Sequence, residues 1–234
     1  MKFEKVGVIC AMELEAREIR RSLSQVREEK AGSLVFFVGK LGRREVILGV
    51  CGIGKVFAAM CAQTMILKYS PDCIVNSGVA GSLSEELEIL DVAVSESLVQ
   101  HDVDTSPLGD PVGYLSGLDT VRLPAEEALR SALLSHARSL GIRAMEGCIA
   151  TGDQFIATAE KKRWIRETFS PIACEMEGGA IAQVALANAV PFCAVRAISD
   201  SFSGKNEMDY ARFAPEAARR GAALLVAFLA EDFS

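Results

Sequence analysis

Acidic side chains follow several apolar runs of this 234-residue sequence, at places where buried strands are expected to end. Glu15 lies in "AMELE" behind the run "KVGVIC", and Asp200 closes the run "PFCAVRAISD". Glu175 and Glu177 stand on the two sides of Met176 in "IACEMEGG". A buried carboxylate is costly unless a partner compensates its charge. Two carboxyl groups that meet at one bond can act as a general acid and a general base, so this pattern favours a catalytic site.

Each acid taken alone also has an ordinary structural explanation. Glu15 could be an acid in the first turn of a helix, where the helix dipole favours negative charge. Glu177 could cap the helix that follows it, and Glu175 could form a buried ion pair with Arg196 on the next strand. Asp200 could form a helix cap or an Asx turn. The stronger indication of function is that all four are expected at one edge of a sheet.

Short β-branched runs alternate with longer helical patterns along the chain. Strands are predicted at 5–10, 33–39, 44–50, 72–78, 91–99, 172–176 and 191–199. Helices are predicted at 13–24, 54–69, 125–140, 158–169, from about 178, and at 214–230. This alternation predicts a single α/β domain over residues 1–234, with a mixed, mostly parallel central sheet flanked by helices on both faces.

Ligands of open α/β sheets bind beyond the carboxyl ends of the strands. The segments expected there are "AMELE", "GVAGSL", "EMEGG" and "SDSFSG". If the strand that begins at 172 continues far enough, Glu175 and Glu177 point to one side and Met176 to the other. The long irregular segment 100–119 is predicted to be functional or to face a partner, because long loops in compact domains usually are.

The composition excludes several classes of protein. A net charge of −6 and an isoelectric point near 5.1 argue against nucleic acid or an anionic membrane as the main partner. No apolar run approaches the ~20 residues of a membrane helix, and the first residues lack the long apolar core of a signal peptide. We therefore expect a cytoplasmic protein. Seven cysteines without a CxxC pair and only two histidines give no indication of a metal, and no organic cofactor is expected.

Seven motifs together resemble one family. "AMELE", "GIGKV", "NSGVAGSL", "HDVDTSPLG", "TGDQFI", "EMEGGAIAQVA" and "VRAISD" occur in the order seen in bacterial 5′-methylthioadenosine/S-adenosylhomocysteine nucleosidases, which belong to the nucleoside phosphorylase/hydrolase superfamily. The motifs span roughly residues 6 to 213. The resemblance implies hydrolysis of the bond between adenine N9 and ribose C1′, through a transition state like an oxocarbenium ion.

The resemblance also implies roles for the acids. Asp200 would be the general acid that protonates adenine N7, with Ser199 orienting it, and burial would raise its pKa. Glu15 would be the general base that activates water on the other side of the bond. Glu177 would accept hydrogen bonds from the ribose hydroxyls, and Met176 would pack against the sugar.

Further positions follow from the same resemblance. Phe155 would stack on the adenine, and the backbone of Ile156 would bind the edge of the base. Glu175 and Arg196 are expected to form a supporting pair rather than to touch the ligand. The other residues expected to line the pocket are Val79, Ala80 and Gly81.

A second subunit is implied as well. Tyr210 and Phe213 of one subunit, together with Leu108 of a second subunit, would surround the 5′-thio substituent, and an apolar surround suits a methyl or longer alkyl group. The resemblance therefore implies a homodimer, with segment 100–119 reaching across the interface.

The sequence departs from the family pattern at two places. Many members have serine where Val79 stands, so a hydroxyl contact is missing there. Members more often have Glu-Ala or Glu-Gly-Ala where this chain has Glu177-Gly178-Gly179, and the extra glycine is expected to loosen the start of the helix. Both departures bear on the preferred substrate, which the sequence does not determine.

Three other functions remain open. A futalosine-type nucleoside hydrolase would share the fold and the acids. A purine nucleoside phosphorylase needs a phosphate site, for which Arg43 and Arg44 are the candidates. A nucleoside sensor without activity would not need both Glu15 and Asp200. "GVCGIGKV" resembles a phosphate loop only faintly, because it fits neither common glycine pattern.

Overall fold

The computed structural model describes residues 3–202 and 206–231. In these residues the chain forms ten strands and six α-helices. The strands are β1 (Lys5–Cys10), β2 (Ser24–Ala31), β3 (Leu34–Leu41), β4 (Arg44–Val50), β5 (Cys73–Ser82), β6 (Val92–Gln100), β7 (Leu123–Pro124), β8 (Ala144–Thr151), β9 (Ala173–Glu175) and β10 (Phe192–Asp200). The helices are α1 (Glu13–Ser22), α2 (Lys55–Tyr69), α3 (Glu127–Ser139), α4 (Ala159–Phe169), α5 (Gly178–Ala187) and α6 (Asn206–Ala230), with a short 3-10 turn at Ser106–Leu108.

All ten strands belong to one mixed sheet. At its centre β1 runs parallel to β4 on one side and to β5 on the other. Beyond β4 the sheet continues through β3 to β2, and both of these pairings are antiparallel. On the other side, β5 pairs with β10 and with β9, and β10 connects through β6 and β8 back to β9. The sheet therefore closes on itself at one end and leaves β2 as a free edge at the other.

Helices cover the sheet on both faces. On one face, α1, α3 and α6 bury residues such as Ile19, Leu133 and Leu225 against the strands. On the other face, α2 and α5 bury residues such as Met65 and Ile181. Helix α4 packs outside β8 in a smaller cluster of its own. The predicted α/β architecture, with helices on both faces of a mixed central sheet, is confirmed.

Three strands were missed, and each has a physical reason. Strand β7 has only two residues, which is too short to show a strand pattern. Strand β2, "SQVREEKA", is almost entirely exposed, so it lacks the alternation of apolar and polar residues that indicates a strand. Strand β8, "AMEGCIAT", begins with exposed or half-buried positions and contains Gly147, which weakens a strand pattern.

The last helix is longer than predicted. Pro215 favoured a helix start at residue 214, since proline is common in a first turn. In the structure α6 begins at Asn206 and contains Pro215 in its interior. No helix in residues 3–202 and 206–231 has the length and apolar character needed to cross a membrane.

Candidate active site

A cavity of about 390 Å³ opens at one edge of the sheet, which we call the cavity edge. It is formed by the carboxyl ends of β1, β5 and β10, where the short strand β9 runs back antiparallel over the end of β5. The predicted site residues that line it are Glu15, Val79, Ala80, Gly81, Phe155, Glu175, Met176, Glu177, Ser199, Asp200 and Tyr210. The four acids that the sequence placed at strand ends are thus brought together.

Glu15 is held by three backbone N–H groups. Its Oε2 accepts hydrogen bonds from the N–H of Ala11 and of Met12, both at 2.9 Å, and its Oε1 accepts one from Val79 at 3.0 Å. Burial raises the pKa of the Glu15 carboxyl, while the Arg196 guanidinium and the three N–H donors oppose that rise. Glu15 does lie in the first turn of α1, as its ordinary explanation requires. The helix dipole does not explain the hydrogen bond from the Val79 N–H on β5, because an acid in a first helical turn needs no contact with a strand.

A glycine on β5 makes room for this arrangement. A side chain at Gly78 would place its Cβ 2.6 Å from Glu15 Oε1 and would also collide with the Arg196 guanidinium. Even alanine is therefore excluded there unless one of these two side chains moves. Gly78, the first glycine of "NSGVAGSL", therefore allows close packing around Glu15 and is not part of a turn.

Asp200 occupies a different part of the cavity. It is the last residue of β10, so its interpretation as a helix cap is wrong. The Ser199 hydroxyl donates to Asp200 Oδ1 at 3.0 Å, and a Cβ at Gly81 would lie 2.8 Å from Asp200 Oδ2. Burial raises the pKa of the Asp200 carboxyl, and the Ser199 hydroxyl and the Lys162 ammonium oppose that rise.

Glu175 and Arg196 form the buried ion pair that the sequence suggested. The Arg196 guanidinium, 1% exposed, donates to Glu175 Oε2 and to the Asn76 side-chain oxygen. The same Glu175 oxygen accepts the N–H of Glu177 at 2.9 Å and of Gly178 at 2.7 Å. Glu175 is consequently occupied by protein donors, as expected of a supporting residue.

Glu177 is placed differently although it is only two residues away. It stands at the N-terminal boundary of α5, but its side chain makes no capping hydrogen bond, so the capping interpretation is wrong. Its Oε1 accepts the N–H of Gly54 at 3.0 Å, and its Oε2 lies 3.5 Å from the Arg196 guanidinium. Burial raises the pKa of Glu177, Arg196 opposes the rise, and the neighbouring Glu175 adds to it. Strand β9 ends at Glu175, so Met176 does not point away and also lines the cavity.

The two glycines after Glu177 pack closely against residues of neighbouring strands. Gly178 and Gly179 are both buried in the first turn of α5. A Cβ at Gly179 would lie 2.9 Å from Gln100 Cγ and 2.9 Å from Thr151 Oγ1. Neighbouring strands occupy the space that a side chain would need here, and the expectation that the extra glycine loosens the helix stays a prediction.

Two aromatic rings stand at the mouth of the cavity. Phe155 and Tyr210 meet edge to face with their ring centroids 5.7 Å apart, and the Tyr210 hydroxyl lies 3.5 Å from the Met12 sulfur. Residues of the cavity that sequence reasoning did not assign are Ala11, Met12, Ile53 and Cys174. All four lie within or directly beside quoted motifs, which was the available signal.

Three predicted site residues do not line this cavity in the single chain. Ile156 is buried in the cluster around α4, and Phe213 is half-buried on α6 with the Arg212 guanidinium 4.9 Å from its ring centroid. Leu108 is 83% exposed in the 3-10 turn of segment 100–119. The roles implied for these residues stay predictions.

The arginines considered for a phosphate site lie at the opposite edge of the sheet, where β1, β4 and β5 begin. The guanidinium of Arg44 donates to the carbonyls of Phe3 at 3.1 Å, Phe228 at 2.7 Å and Leu229 at 2.9 Å. Arg44 therefore binds the end of α6, and Arg43 directly precedes β4 at the same edge. The proposal that Arg43 and Arg44 reach the pocket is wrong.

Among the described residues, no group of three or more His, Cys, Asp or Glu side chains is placed to hold a metal ion.

Comparison with known proteins identifies the family. The model of the family described as "Phosphorylase superfamily" matches residues 5–230. The chain belongs to the phosphorylase superfamily. Among superfamily members, it is 35% identical over 227 residues to the 5′-methylthioadenosine/S-adenosylhomocysteine nucleosidase of Shewanella sediminis, covering 96% of this chain and 98% of that protein. It is also 35% identical to the same nucleosidase of Actinobacillus succinogenes, over 97% of this chain and 99% of that protein.

Solved structures of the superfamily agree with these relatives. The Neisseria meningitidis nucleosidase in complex with methylthio-immucillin-A superposes with a TM-score of 0.93 at 31% identity, covering 97% of this chain and 99% of that one. Futalosine hydrolase of Helicobacter pylori superposes with a TM-score of 0.92 at 33% identity, covering 97% of each chain. The resemblance to 5′-methylthioadenosine/S-adenosylhomocysteine nucleosidases is thereby confirmed over nearly the whole chain.

Proposed function

We propose that this protein hydrolyses the N-glycosidic bond of 5′-methylthioadenosine and S-adenosylhomocysteine, releasing adenine and the corresponding thioribose. The names of the relatives support this reaction. One observation in the site carries the proposal: two carboxyl groups, Glu15 and Asp200, are buried in one cavity and have different hydrogen-bond partners. Such a difference suits a pair in which one group gives a proton and the other takes one.

Asp200 is the general acid of the proposed reaction. Adenine leaves readily only when N7 is protonated, because the electron pair of the breaking N9–C1′ bond moves into the ring. A carboxyl group whose pKa is raised by burial holds its proton closer to neutral pH, which general acid catalysis requires. The Ser199 hydroxyl both donates and accepts, so it can orient Asp200 before and after proton transfer.

Glu15 is the general base. Its two oxygens offer about four lone-pair positions, and three of them take the backbone N–H groups described above. The remaining position is available to a water molecule that attacks C1′ and transfers a proton to Glu15. The three N–H donors also fix the carboxylate, so that little reorganisation is needed during the reaction.

Glu177 binds the ribose. One of its oxygens accepts the Gly54 N–H, which leaves acceptor capacity for the sugar hydroxyls. Met176 lies beside it and provides an apolar contact for the sugar. Substrate hydroxyls would then compensate the cost of burying this carboxylate.

The working unit is a homodimer in which segment 100–119 completes the neighbouring site. Support comes from an exposed apolar face on α2, which includes Val56, Phe57 and Met60 and is adjacent to Ile53 of the cavity. Large apolar groups clustered on a surface usually mark an interaction site. Leu108 is exposed, as a residue that contacts a second chain would be in a single chain. Cytoplasmic localisation stays a prediction.

Hydrolysis of a futalosine-type nucleoside is the second candidate, because the Helicobacter pylori futalosine hydrolase superposes as well as the nucleosidases do. Both candidates are tested by following release of the free base, adenine from 5′-methylthioadenosine and hypoxanthine from futalosine, in phosphate-free buffer, and then again after phosphate is added. We expect release from methylthioadenosine without phosphate, together with free methylthioribose. Release that depends on phosphate contradicts hydrolysis, and release from futalosine alone supports the second candidate.

A further inference from the structure

Lys55, the lysine of "GIGKV", binds two side chains at the end of β6 and directly after it. Its ammonium group lies 2.7 Å from Asp102 Oδ1 and 3.2 Å from Gln100 Oε1. The side chains of Lys55 and Asp102 are only 19% and 16% exposed. This lysine therefore holds neighbouring parts of the protein together, which a phosphate-loop lysine would not do.

Two hydrogen bonds from backbone N–H groups to carboxylates connect Lys55 and Asp102 through a third residue, Asp153. Asp102 Oδ2 accepts the N–H of Asp153 at 2.9 Å, and Asp153 Oδ1 accepts the N–H of Lys55 at 2.8 Å. We call these three residues the Lys55 clamp. They come from three separate connections of the fold: the junction of the β4–α2 turn with α2, whose first residue is Lys55, the start of segment 100–119, and the loop between β8 and α4.

Each of the three connections also carries part of the proposed active site. Gly54, next to Lys55, donates its N–H to Glu177. Phe155, two residues beyond Asp153, lines the cavity. Leu108 lies in segment 100–119, which Asp102 anchors at its beginning. The clamp thus joins the sugar side, the base side and the partner-facing segment.

The charges of the clamp are suited to holding these connections firmly. Burial raises the pKa of the Asp102 carboxyl, but the hydrogen bonds from Lys55 and from the Asp153 N–H outweigh it, so the pKa lies below its usual value. Asp102 is therefore ionised at neutral pH. Ion pairs that are partly buried and further hydrogen-bonded depend strongly on both partners being present.

We propose that Lys55 is a positioning residue, which through Asp102 and Asp153 fixes the Gly54 N–H against Glu177 and ties segment 100–119 to the sugar side of the cavity. The inference rests on the proposed function, because Glu177 is the ribose ligand only in that reaction. Lys55 itself does not line the cavity.

Hydrogen exchange on the full chain tests the clamp without reference to activity. We expect Lys55→Met to accelerate exchange of the backbone amides in 103–118 by about tenfold or more, since local opening becomes easier. Lys68→Met is the matched control, because Lys68 is on the same helix and its ammonium lies 2.8 Å from Glu29 Oε2, far along the chain from the clamp. Unchanged exchange in 103–118, or equal acceleration in both variants, contradicts the clamp.

Steady-state kinetics test the positioning role. Loss of uniform binding raises KM with little change in kcat, so we expect Lys55→Met to raise KM for methylthioadenosine about tenfold. Inhibition by free adenine, which lacks the sugar, should change clearly less than KM does, because the clamp reaches the base side only through the loop that carries Phe155. Lys55→Arg, which keeps the charge, should restore most of the affinity. A merely structural role predicts equal changes for substrate and adenine, and that outcome overturns the proposal.

Replacing Asp102, the acidic partner of Lys55, tests the same ion pair. Asp102→Ala should reproduce the rise in KM, and the double variant Lys55→Met with Asp102→Ala should be no worse than either single one. If the two effects multiply, the residues act independently and the clamp is refuted. A wild-type chain that releases no adenine contradicts the proposed function, whereas an active wild type with unaffected variants contradicts the clamp alone.

Discussion

At the cavity edge of the sheet, Glu15, Glu175 and Glu177 are buried around the Arg196 guanidinium and Asp200 lies apart from them, whereas at the opposite edge the buried Arg44 is surrounded by backbone carbonyls. Both edges bury charge next to the same parallel strands. The Arg44 guanidinium donates to the Phe3 carbonyl and to three carbonyls at and just beyond the end of α6, including that of Glu231 at 2.9 Å. At the cavity edge, Glu15, Glu177 and Asp200 keep acceptor positions that face open space.

This difference separates structural from functional charge. A buried charge whose partners all belong to the protein stabilises the fold, as with Arg44 and Glu175. A buried charge whose partners are incomplete is costly, and a substrate that completes them would explain its presence. Four substitutions test this distinction between the two edges, and we expect Asp200→Asn and Glu15→Gln to lower turnover most and Arg44→Met to lower it least.

Replacing Asp200 with Asn should lower kcat by about 10²-fold or more, because the amide cannot supply a proton to the leaving base. Since the general acid must be protonated, wild-type activity should fall as pH rises through the raised pKa of Asp200. The measurement is a pH profile of kcat/KM for both proteins. A variant with wild-type turnover would remove Asp200 from the mechanism.

Replacing Glu15 with Gln should also lower kcat by about 10²-fold or more, because an amide cannot accept the proton of the attacking water. Here the pH dependence has the opposite sign: a general base must be ionised, so activity should fall as pH drops through the raised pKa of Glu15. Binding of adenine, measured by calorimetry, serves as the control and should be retained. Undiminished turnover in Glu15→Gln would mean that water is activated elsewhere.

Replacing Glu177 with Ala should raise KM for methylthioadenosine by about 10- to 100-fold, as expected for loss of hydrogen bonds to a charged group. Inhibition by free adenine should change much less, because adenine has no ribose hydroxyls. The comparison of the two constants is the test. If substrate and adenine weaken to the same extent, Glu177 does not bind the sugar.

Replacing Arg44 with Met should leave kcat and KM within about twofold of wild type while lowering the free energy of unfolding by about 2–3 kcal/mol, since buried carbonyls lose their donors. Chemical denaturation measures the stability, and the adenine-release assay measures the activity. A large loss of activity in a folded Arg44→Met protein would contradict the separation of the two edges.

Glu15 and Asp200 could be proposed as catalytic residues from the sequence because each lies in a compact motif beside a strand that apolar residues reveal. Glu15 follows β1 by five residues, and Asp200 closes β10. The Arg196–Glu175 pair could also be anticipated, since both residues lie in predicted neighbouring strands. Local patterns of this kind depend little on the rest of the chain.

Contacts between distant segments could not be predicted in the same way. The bond from the Gly54 N–H to Glu177 joins positions 123 residues apart, and either residue alone has several ordinary interpretations. Strand β2 was missed because its pairing with β3, rather than burial of its side chains, maintains it. In both cases the residue or strand that forms the contact is not part of the local sequence pattern from which the prediction is made.

The closure of the sheet at one end has a consequence for concentrated solutions. Free backbone groups at the edge of a sheet invite strands from other molecules, and this is a common route to aggregation. In the described part of the chain, β2 is the long strand left at such an edge, and it carries Arg27, Glu28, Glu29 and Lys30 in succession. A second copy that added a strand there would align these charges with its own and desolvate them. The charged residues that make β2 unlike an amphipathic strand therefore oppose edge-to-edge association of the molecules.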